Sequence, residues 1–136
     1  MFTAIAYSSK NVIRGLHFQN KNKQTKIIYV VSGEILDVIV DLNKSSSTFG
    51  KVIKYRLKKG DVLFVPNTYA HGYECLSENC VVLYHLDKYR SKKNEKGIAY
   101  DDKSLKIQWK TKNPITSLRD KSNISFEDFK KKFKSL

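Results

Sequence analysis

The chain has 136 residues, a length typical of one domain that buries more than half of its surface on folding. Hydrophobic residues make up 40% of the chain and aromatic residues 12%, which excludes an intrinsically disordered protein. Lysine and arginine number 26 against 13 acidic residues, and a net charge of +13 favours anionic partners. Only four of the basic residues are arginine, the usual residue for base and phosphate recognition, so we expect no nucleic-acid partner.

The sequence carries no sign of export or of a membrane span. Its N-terminus lacks the basic and apolar segments of a signal peptide, and no apolar run has the length that crosses a bilayer. Two cysteines, Cys75 and Cys80, are too few for a disulfide framework. We expect a cytoplasmic protein with no membrane partner and one domain over residues 1–136, divided into a barrel (1–110) and a basic tail (111–136).

Short β-prone runs separated by turn signals dominate the first hundred residues. The run from Lys26 to Val31 meets Ser32-Gly33, which predicts a two-residue hairpin turn into the run from Glu34 to Leu42. That second run alternates with a period of two, as a strand does. One of its faces carries Leu36, Val38, Val40 and Leu42, and the other carries Ile35, Asp37, Ile39 and Asp41.

Four more strands are predicted at Val52–Leu57, Asp61–Val65, Ala70–Leu76 and Val81–Leu86, the last two forming a hairpin across the cysteine loop. About seven strands without helical patterns between them favour an antiparallel β-sandwich or barrel.

One helix is predicted near the C-terminus. Ser125 to Asp128 resembles a capping box, and Phe126, Phe129 and Phe133 recur at helical spacing.

Two polar side chains, Arg14 and His17, interrupt a run that is otherwise apolar enough to be buried. Strict pleating places them on opposite faces of a strand, whereas a β-bulge at Gly15 would turn both to the same side. Taken alone, His17 is more often a structural histidine than a catalytic one.

The spacing of Gly60, Pro66 and His71 resembles the second half-motif of cupins, in which the histidine points into the barrel. In metal cupins this histidine is a ligand, but a metal site also needs a His-x-His and Glu cluster upstream. His17 is the one upstream histidine, and His85 stands alone on an apolar strand. We therefore expect no metal.

The segment Arg14-Gly15-Leu16-His17-Phe18-Gln19 is similar to the signature of the dTDP-4-dehydrorhamnose 3,5-epimerase family. The resemblance continues in order over roughly residues 8–110. It includes Lys26, Gly33 to Val38, Thr48 to Lys51, Val65-Pro66, Ala70 to Gly72, Leu83-Tyr84, Gly97 to Asp102 and Ile107 to Trp109.

The resemblance implies a mainly β fold, a cupin-type antiparallel β-barrel (jelly roll), here with a short C-terminal helix. It also implies a homodimer that needs no cofactor and acts on a nucleotide-linked 4-keto-6-deoxyhexose. Three residues match the catalytic set: His17 as general base, Asp102 as the carboxylate that orients it, and Tyr84 as the acid on the opposite ring face. Substrate-binding roles are implied for Arg14, Gln19, Lys26 and His71.

The sequence also departs from the family pattern. Family members carry a longer segment before the arginine-histidine motif, whereas 13 residues precede Arg14, and Tyr100 stands where tryptophan is common. We expect a site more open on the nucleotide side, and an edge strand at Met1–Tyr7 that pairs with its own sheet or with a partner's. A keto-isomerase and a non-catalytic sugar-nucleotide-binding cupin stay open as alternative functions.

Overall fold

The structure, a computed structural model, describes residues 1–133 and 136, so that residues 134 and 135 of the predicted basic tail lie outside the described part. The described residues form nine strands and two short helices. In chain order these are β1 (Phe2–Ser9), β2 (Ile13–Gln19), β3 (Lys26–Ser32), β4 (Glu34–Asp41), β5 (Val52–Lys58), β6 (Val62–Val65), β7 (Tyr69–Cys75), β8 (Asn79–Leu86), β9 (Glu95–Gly97), α1 (Leu118–Lys121) and α2 (Phe126–Lys132).

The strands form two sheets that face each other. The four-stranded sheet has the order β1-β8-β3-β6, and the five-stranded sheet has the order β5-β4-β7-β2-β9. Neighbouring strands in both sheets run antiparallel. The predicted mainly β, cupin-type fold is confirmed.

Two predicted hairpins are wrong. The strands on either side of Ser32-Gly33, β3 and β4, lie in different sheets, and so do β7 and β8 on either side of the cysteine loop. Both turns therefore carry the chain across the sandwich. Gly33 has a φ of +80°, which permits the reversal at little steric cost.

The N-terminal segment forms an edge strand. Of the two pairings that the sequence left open, with its own sheet or with a partner's, the structure has the first. Strand β1 pairs with β8 along its length, from Phe2 opposite Leu86 to Ser9 opposite Asn79. Because β1 lies on one side of β8 and β3 on the other, β8 is a central strand.

Strand β4 is buried on both faces, and its alternating pattern explains how. The face with Ile35 and Ile39 packs in the interior between the sheets. The opposite face packs in a second core, where Val38 and Val40 join Phe129 of α2. The predicted C-terminal helix is therefore confirmed, and it covers the outside of the five-stranded sheet.

Helix α2 begins as the sequence predicts, since the Ser125 hydroxyl accepts a hydrogen bond from the Asp128 amide at 3.1 Å. Such a cap satisfies one of the amides that the first helical turn leaves unpaired. No helix among residues 1–133 and 136 is both long enough and apolar enough to cross a bilayer.

Candidate active site

A cavity of about 310 Å³ lies between the two sheets and is lined by residues of both. It gathers residues that are far apart in the sequence, from β1, β2, β3, β7 and β8 to the C-terminal segment. Six of the seven predicted site residues line it, namely Arg14, His17, Gln19, Lys26, His71 and Tyr84.

Strand β2 enters this cavity through the predicted bulge. Its pairing with β7 shifts register between Arg14 and His17. Gly15 has a φ of +106°, and a side chain there would place its Cβ 2.6 Å from the His71 carbonyl oxygen. The bulge thus depends on glycine, and it turns Arg14 and His17 toward the same cavity.

The His17 ring is paired with a carboxylate that the sequence analysis missed. Its Nε2 lies 2.6 Å from Asp120 Oδ1, and the Gly15 amide donates to Asp120 Oδ2 at 3.1 Å. Burial alone would raise the pKa of Asp120, but the hydrogen bond and charge of His17 and the Gly15 amide hold it below its usual value. Because an ionised carboxylate only accepts, Nε2 carries the hydrogen and Nδ1 is the basic nitrogen of the neutral ring.

The predicted pairing of His17 with Asp102 is wrong. Asp102 Oδ1 accepts from the Ser104 amide at 3.0 Å and from the Leu105 amide at 2.9 Å, while Oδ2 accepts from the Phe126 amide at 2.7 Å. Its carboxylate therefore fixes the loop after β9 to the start of α2, away from the histidine.

Asp120 belongs to the short helix α1, which the sequence analysis also missed. Ser117 caps this helix, and its hydroxyl accepts from the Asp120 amide at 3.1 Å. A serine three residues before an acidic residue, as in Ser117 and Asp120, is a recognisable signal for the N-terminus of a helix. This signal could have predicted α1 from the sequence. Nothing local indicated that a residue 103 positions from His17 would contact it.

Tyr84 and Lys26 approach the cavity from the four-stranded sheet, opposite His17. Burial, with smaller contributions from Tyr73 and Asp37, raises the pKa of Tyr84 well above its usual value, so its hydroxyl stays protonated. Burial also lowers the pKa of Lys26 from 10.5 to about 8, against the opposing charges of Glu95 and Asp37. Tyr84 can therefore act as a weak acid, and Lys26 is a cation that loses its charge when the pH rises through about 8.

His71 points into the interior, as the cupin half-motif predicts. Its Nε2 lies 2.7 Å from Asp37 Oδ2, and both side chains are almost fully buried. The ring packs edge-on against Tyr84 with the ring centres 6.0 Å apart. In the described part of the chain, no three His, Cys, Asp or Glu side chains are grouped to hold a metal ion.

Gln19 lines the cavity but uses its amide to brace loops. Its Nε2 donates to the Asn22 carbonyl at 2.8 Å, and its Oε1 accepts from the Ser91 amide at 2.7 Å.

An ion cluster that the sequence analysis did not identify lies at the cavity rim. The Glu95 carboxylate pairs with Arg90 and, at 3.1 Å, with Arg119, and it lies 3.9 Å from His17 Nδ1. Burial alone would raise the pKa of Glu95, but the hydrogen bond from Arg90 and the charges of His17 and both arginines lower it.

Comparison with known proteins places this site in a family. The family model of dTDP-4-dehydrorhamnose 3,5-epimerase matches residues 3–128. The chain belongs to this epimerase family. The resemblance carried by the arginine-histidine motif and the expected isomerase class are both confirmed.

Two relatives are about 40% identical to the chain over the residues that align. The dTDP-4-dehydrorhamnose 3,5-epimerase of Shigella flexneri is 40% identical over 124 residues, which are 89% of this chain and 68% of that protein. The epimerase of Methanothermobacter thermautotrophicus is 39% identical over 75% of this chain and 56% of that protein.

A solved structure of the family has the same fold. The Bacillus anthracis dTDP-4-dehydrorhamnose 3,5-epimerase, solved with TDP and PPi bound, is 40% identical and superposes with a TM-score of 0.89. The alignment covers 92% of this chain and 74% of that chain.

Proposed function

We propose that this protein epimerises a nucleotide-linked 4-keto-6-deoxyhexose by inverting C3, C5 or both. The observation that carries the proposal is the His17–Asp120 pair on one side of a single cavity and Tyr84 on the other. The family supports the substrate class, and the Bacillus anthracis relative, solved with TDP and PPi bound, supports a nucleoside diphosphate.

The first step is removal of a proton from the carbon beside the ketone. His17 Nδ1 takes this proton, the C–H bond breaks, and its electron pair delocalises into the carbonyl as an enolate. The imidazolium that forms is stabilised by Asp120, 2.6 Å from Nε2. Asp120 also fixes the tautomer, so that the basic nitrogen is present before substrate binds.

Lys26 stabilises the enolate oxygen. Its ammonium group is buried and lies 3.5 Å from the His17 carbonyl oxygen, and the residue lines the cavity. A cation placed where negative charge develops, in surroundings that exclude water, is usually the largest single contribution to catalysis.

Tyr84 completes the inversion by returning a proton to the opposite face of the carbon. The tyrosine O–H bond breaks, a new C–H bond forms, and the enolate electron pair becomes that bond. His71, held by Asp37, packs against the Tyr84 ring and orients it. Solvent then protonates the tyrosinate and accepts the proton of the imidazolium, which restores the starting state.

We also propose that the protein forms a homodimer through the outer face of the four-stranded sheet. Apolar side chains meet across its strands, with Ile5 opposite Leu83 and Tyr29 opposite Val62. The outward residues include Ile5, Tyr7, Ile27, Tyr29, Val62 and Phe64, all of them exposed. A second copy of the same face would cover this row, as two-fold symmetric contacts do.

The epimerase proposal is tested by incubating the protein with a dTDP-linked 4-keto-6-deoxyhexose in D₂O. We expect deuterium at C3, C5 or both, and a product of inverted configuration at each labelled carbon, by NMR. A substrate recovered without deuterium would identify a sugar-nucleotide-binding protein instead. Movement of the carbonyl group would identify a keto-isomerase.

A further inference from the structure

The arginines of this chain are concentrated at the cavity. Of the four in the sequence, Arg14, Arg90 and Arg119 line it, although lysine is the far more common cation. Among the described lining residues, Lys26 is the one lysine. The planar guanidinium fork matches a phosphate group in a way that an ammonium does not, so this distribution points to an anion held at defined positions.

Arg90 and Arg119 share one carboxylate and keep most of their donors. Arg90 contacts Glu95 through Nε and, at 3.3 Å, through Nη2, while Arg119 contacts it through Nη2 at 3.1 Å. A guanidinium group has about five N–H donors. Within residues 1–133 and 136, the remaining donors of both side chains have no hydrogen-bonded protein partner.

Burial shows which side of the cluster faces solvent. The Glu95 side chain is 9% exposed, whereas Arg90 and Arg119 are 48% and 44% exposed. The carboxylate therefore lies beneath the two arginines and sets their positions. Two positive charges over one negative charge leave the rim cationic.

Arg14, by contrast, is already engaged with the protein. Its Nε donates to the Ser8 hydroxyl at 2.8 Å, and its Nη2 donates to the Tyr7 carbonyl at 2.9 Å. The family resemblance implies substrate binding by Arg14, but two of its nitrogens already donate hydrogen bonds to β1.

The surface next to the Arg90–Glu95–Arg119 cluster is also positively charged. A neighbouring cavity of about 390 Å³ shares Glu95 and Arg119, and its lining adds Lys96 and Lys132. These lysines attract an anion toward the rim without fixing its orientation.

We propose that Arg90, held beside Arg119 by the buried Glu95, binds a phosphate group of the nucleotide-sugar substrate. The identity of the substrate rests on the function proposed above, whereas the anion site stands on the cluster itself. Glu95 is a positioning residue in this arrangement, because it fixes both guanidinium groups before the ligand arrives.

The test is calorimetric titration of the protein with inorganic pyrophosphate. We expect Arg90→Gln to weaken binding roughly tenfold, the usual effect of losing a charge-assisted contact. Arg56→Gln is the matched control, because Arg56 pairs with Glu34 in the same way at an exposed position outside the cavity. Its affinity for pyrophosphate is expected to stay at the wild-type value.

Three results would overturn the proposal: no binding of pyrophosphate to the wild-type protein, unchanged affinity in Arg90→Gln, or an equal loss in Arg56→Gln. Steady-state kinetics separates this question from the epimerase function. An active enzyme in which Arg90→Gln leaves KM unchanged would contradict the anion site alone. A roughly tenfold rise in KM, with kcat nearly constant, is the expected result.

Discussion

His17 stands between two carboxylates whose surroundings give them different roles. Asp120, at 2.6 Å from Nε2, has a hydrogen bond to the ring and fixes its tautomer. Glu95 lies 3.9 Å from Nδ1, and its charge is already balanced by two arginines. Because Glu95 is too far from Nδ1 for a hydrogen bond, the basic nitrogen of His17 stays available to take a proton.

Exchanging each candidate carboxylate separates the orienting residue from the structural one. We predict that Asp120→Asn lowers turnover by roughly two to four orders of magnitude, because the imidazolium loses its stabilising charge. Asp102→Asn is the control and leaves turnover near the wild-type value. It lowers the free energy of unfolding by about 1–3 kcal/mol instead, because its backbone contacts weaken. The opposite assignment of effects would restore Asp102 to the catalytic pair.

In the proposed mechanism, Lys26 sets an alkaline limit on the reaction. Its ammonium group must be charged to stabilise the enolate, and burial lowers its pKa from 10.5 to about 8. We predict that kcat/KM falls as the pH rises through about 8, and that this decline disappears in the slower Lys26→Met variant. A decline that persists in Lys26→Met would show that another group sets the limit.

The same lysine affects stability with a sign that can be checked. Because its pKa is lower in the folded chain than in the unfolded chain, the folded state binds fewer protons, and stability rises between pH 8 and pH 10.5. Lys26→Met is therefore expected to stabilise the fold at pH 7 by up to about 3 kcal/mol. Denaturant unfolding will show this gain shrinking toward pH 10.5, and a gain that does not change with pH would contradict it.

At the level of single elements, strand β2 depends on one glycine. Gly15→Ala would place a methyl group 2.6 Å from the His71 carbonyl oxygen at a φ of +106°. We predict a loss of more than about 2 kcal/mol in the free energy of unfolding, together with loss of turnover because His17 moves.

Gly60→Ala is the matched control for this prediction. Gly60 has a similar φ of +94°, but an added Cβ meets nothing within 4 Å. Its cost is confined to backbone strain, about 1–2 kcal/mol, and turnover of the folded enzyme is unchanged. Equal losses of stability and turnover in the two variants would show that the close approach at Gly15 does not matter.

The sequence predicted the strands and the C-terminal helix better than it predicted which strands pair, because only the former depend on local patterns. The alternation in β4 and the cap of α2 are local patterns, so they could be recognised before the structure was known. Pairing between strands is not local. Ser32-Gly33 has the composition of a hairpin turn, yet the same two residues carry the chain from one sheet to the other.

In the site, too, the local features were predictable from the sequence and the long-range contacts were not. The bulge at Gly15 followed from polar residues in an apolar run, and the structure contains it. Asp120 was missed because its role depends on the C-terminal segment folding back against β2, where the Ile13 amide donates to the Ile115 carbonyl at 2.9 Å. No spacing in the sequence predicts that contact.

At the scale of the whole molecule, the two sheets differ in how they are covered. The C-terminal segment covers the five-stranded sheet, while Val62 and Phe64 of the four-stranded sheet are 59% and 60% exposed. We predict that light scattering at micromolar concentration gives a dimer and that Phe64→Lys gives a monomer.

The control for assembly is Leu118→Lys, which alters a residue that is 85% exposed on α1, outside the four-stranded sheet. This variant is expected to remain a dimer. A monomeric wild-type protein, or a dimer that survives Phe64→Lys, would contradict the proposed interface.

In the proposed mechanism, His17 and Tyr84 act on opposite faces of one carbon. NMR of the Tyr84→Phe reaction in D₂O compares deuterium incorporation beside the ketone with inversion at the same carbon. We predict that deuterium incorporation continues, since His17 and Asp120 are intact, while inversion is lost. Inversion at the wild-type ratio to incorporation would contradict it.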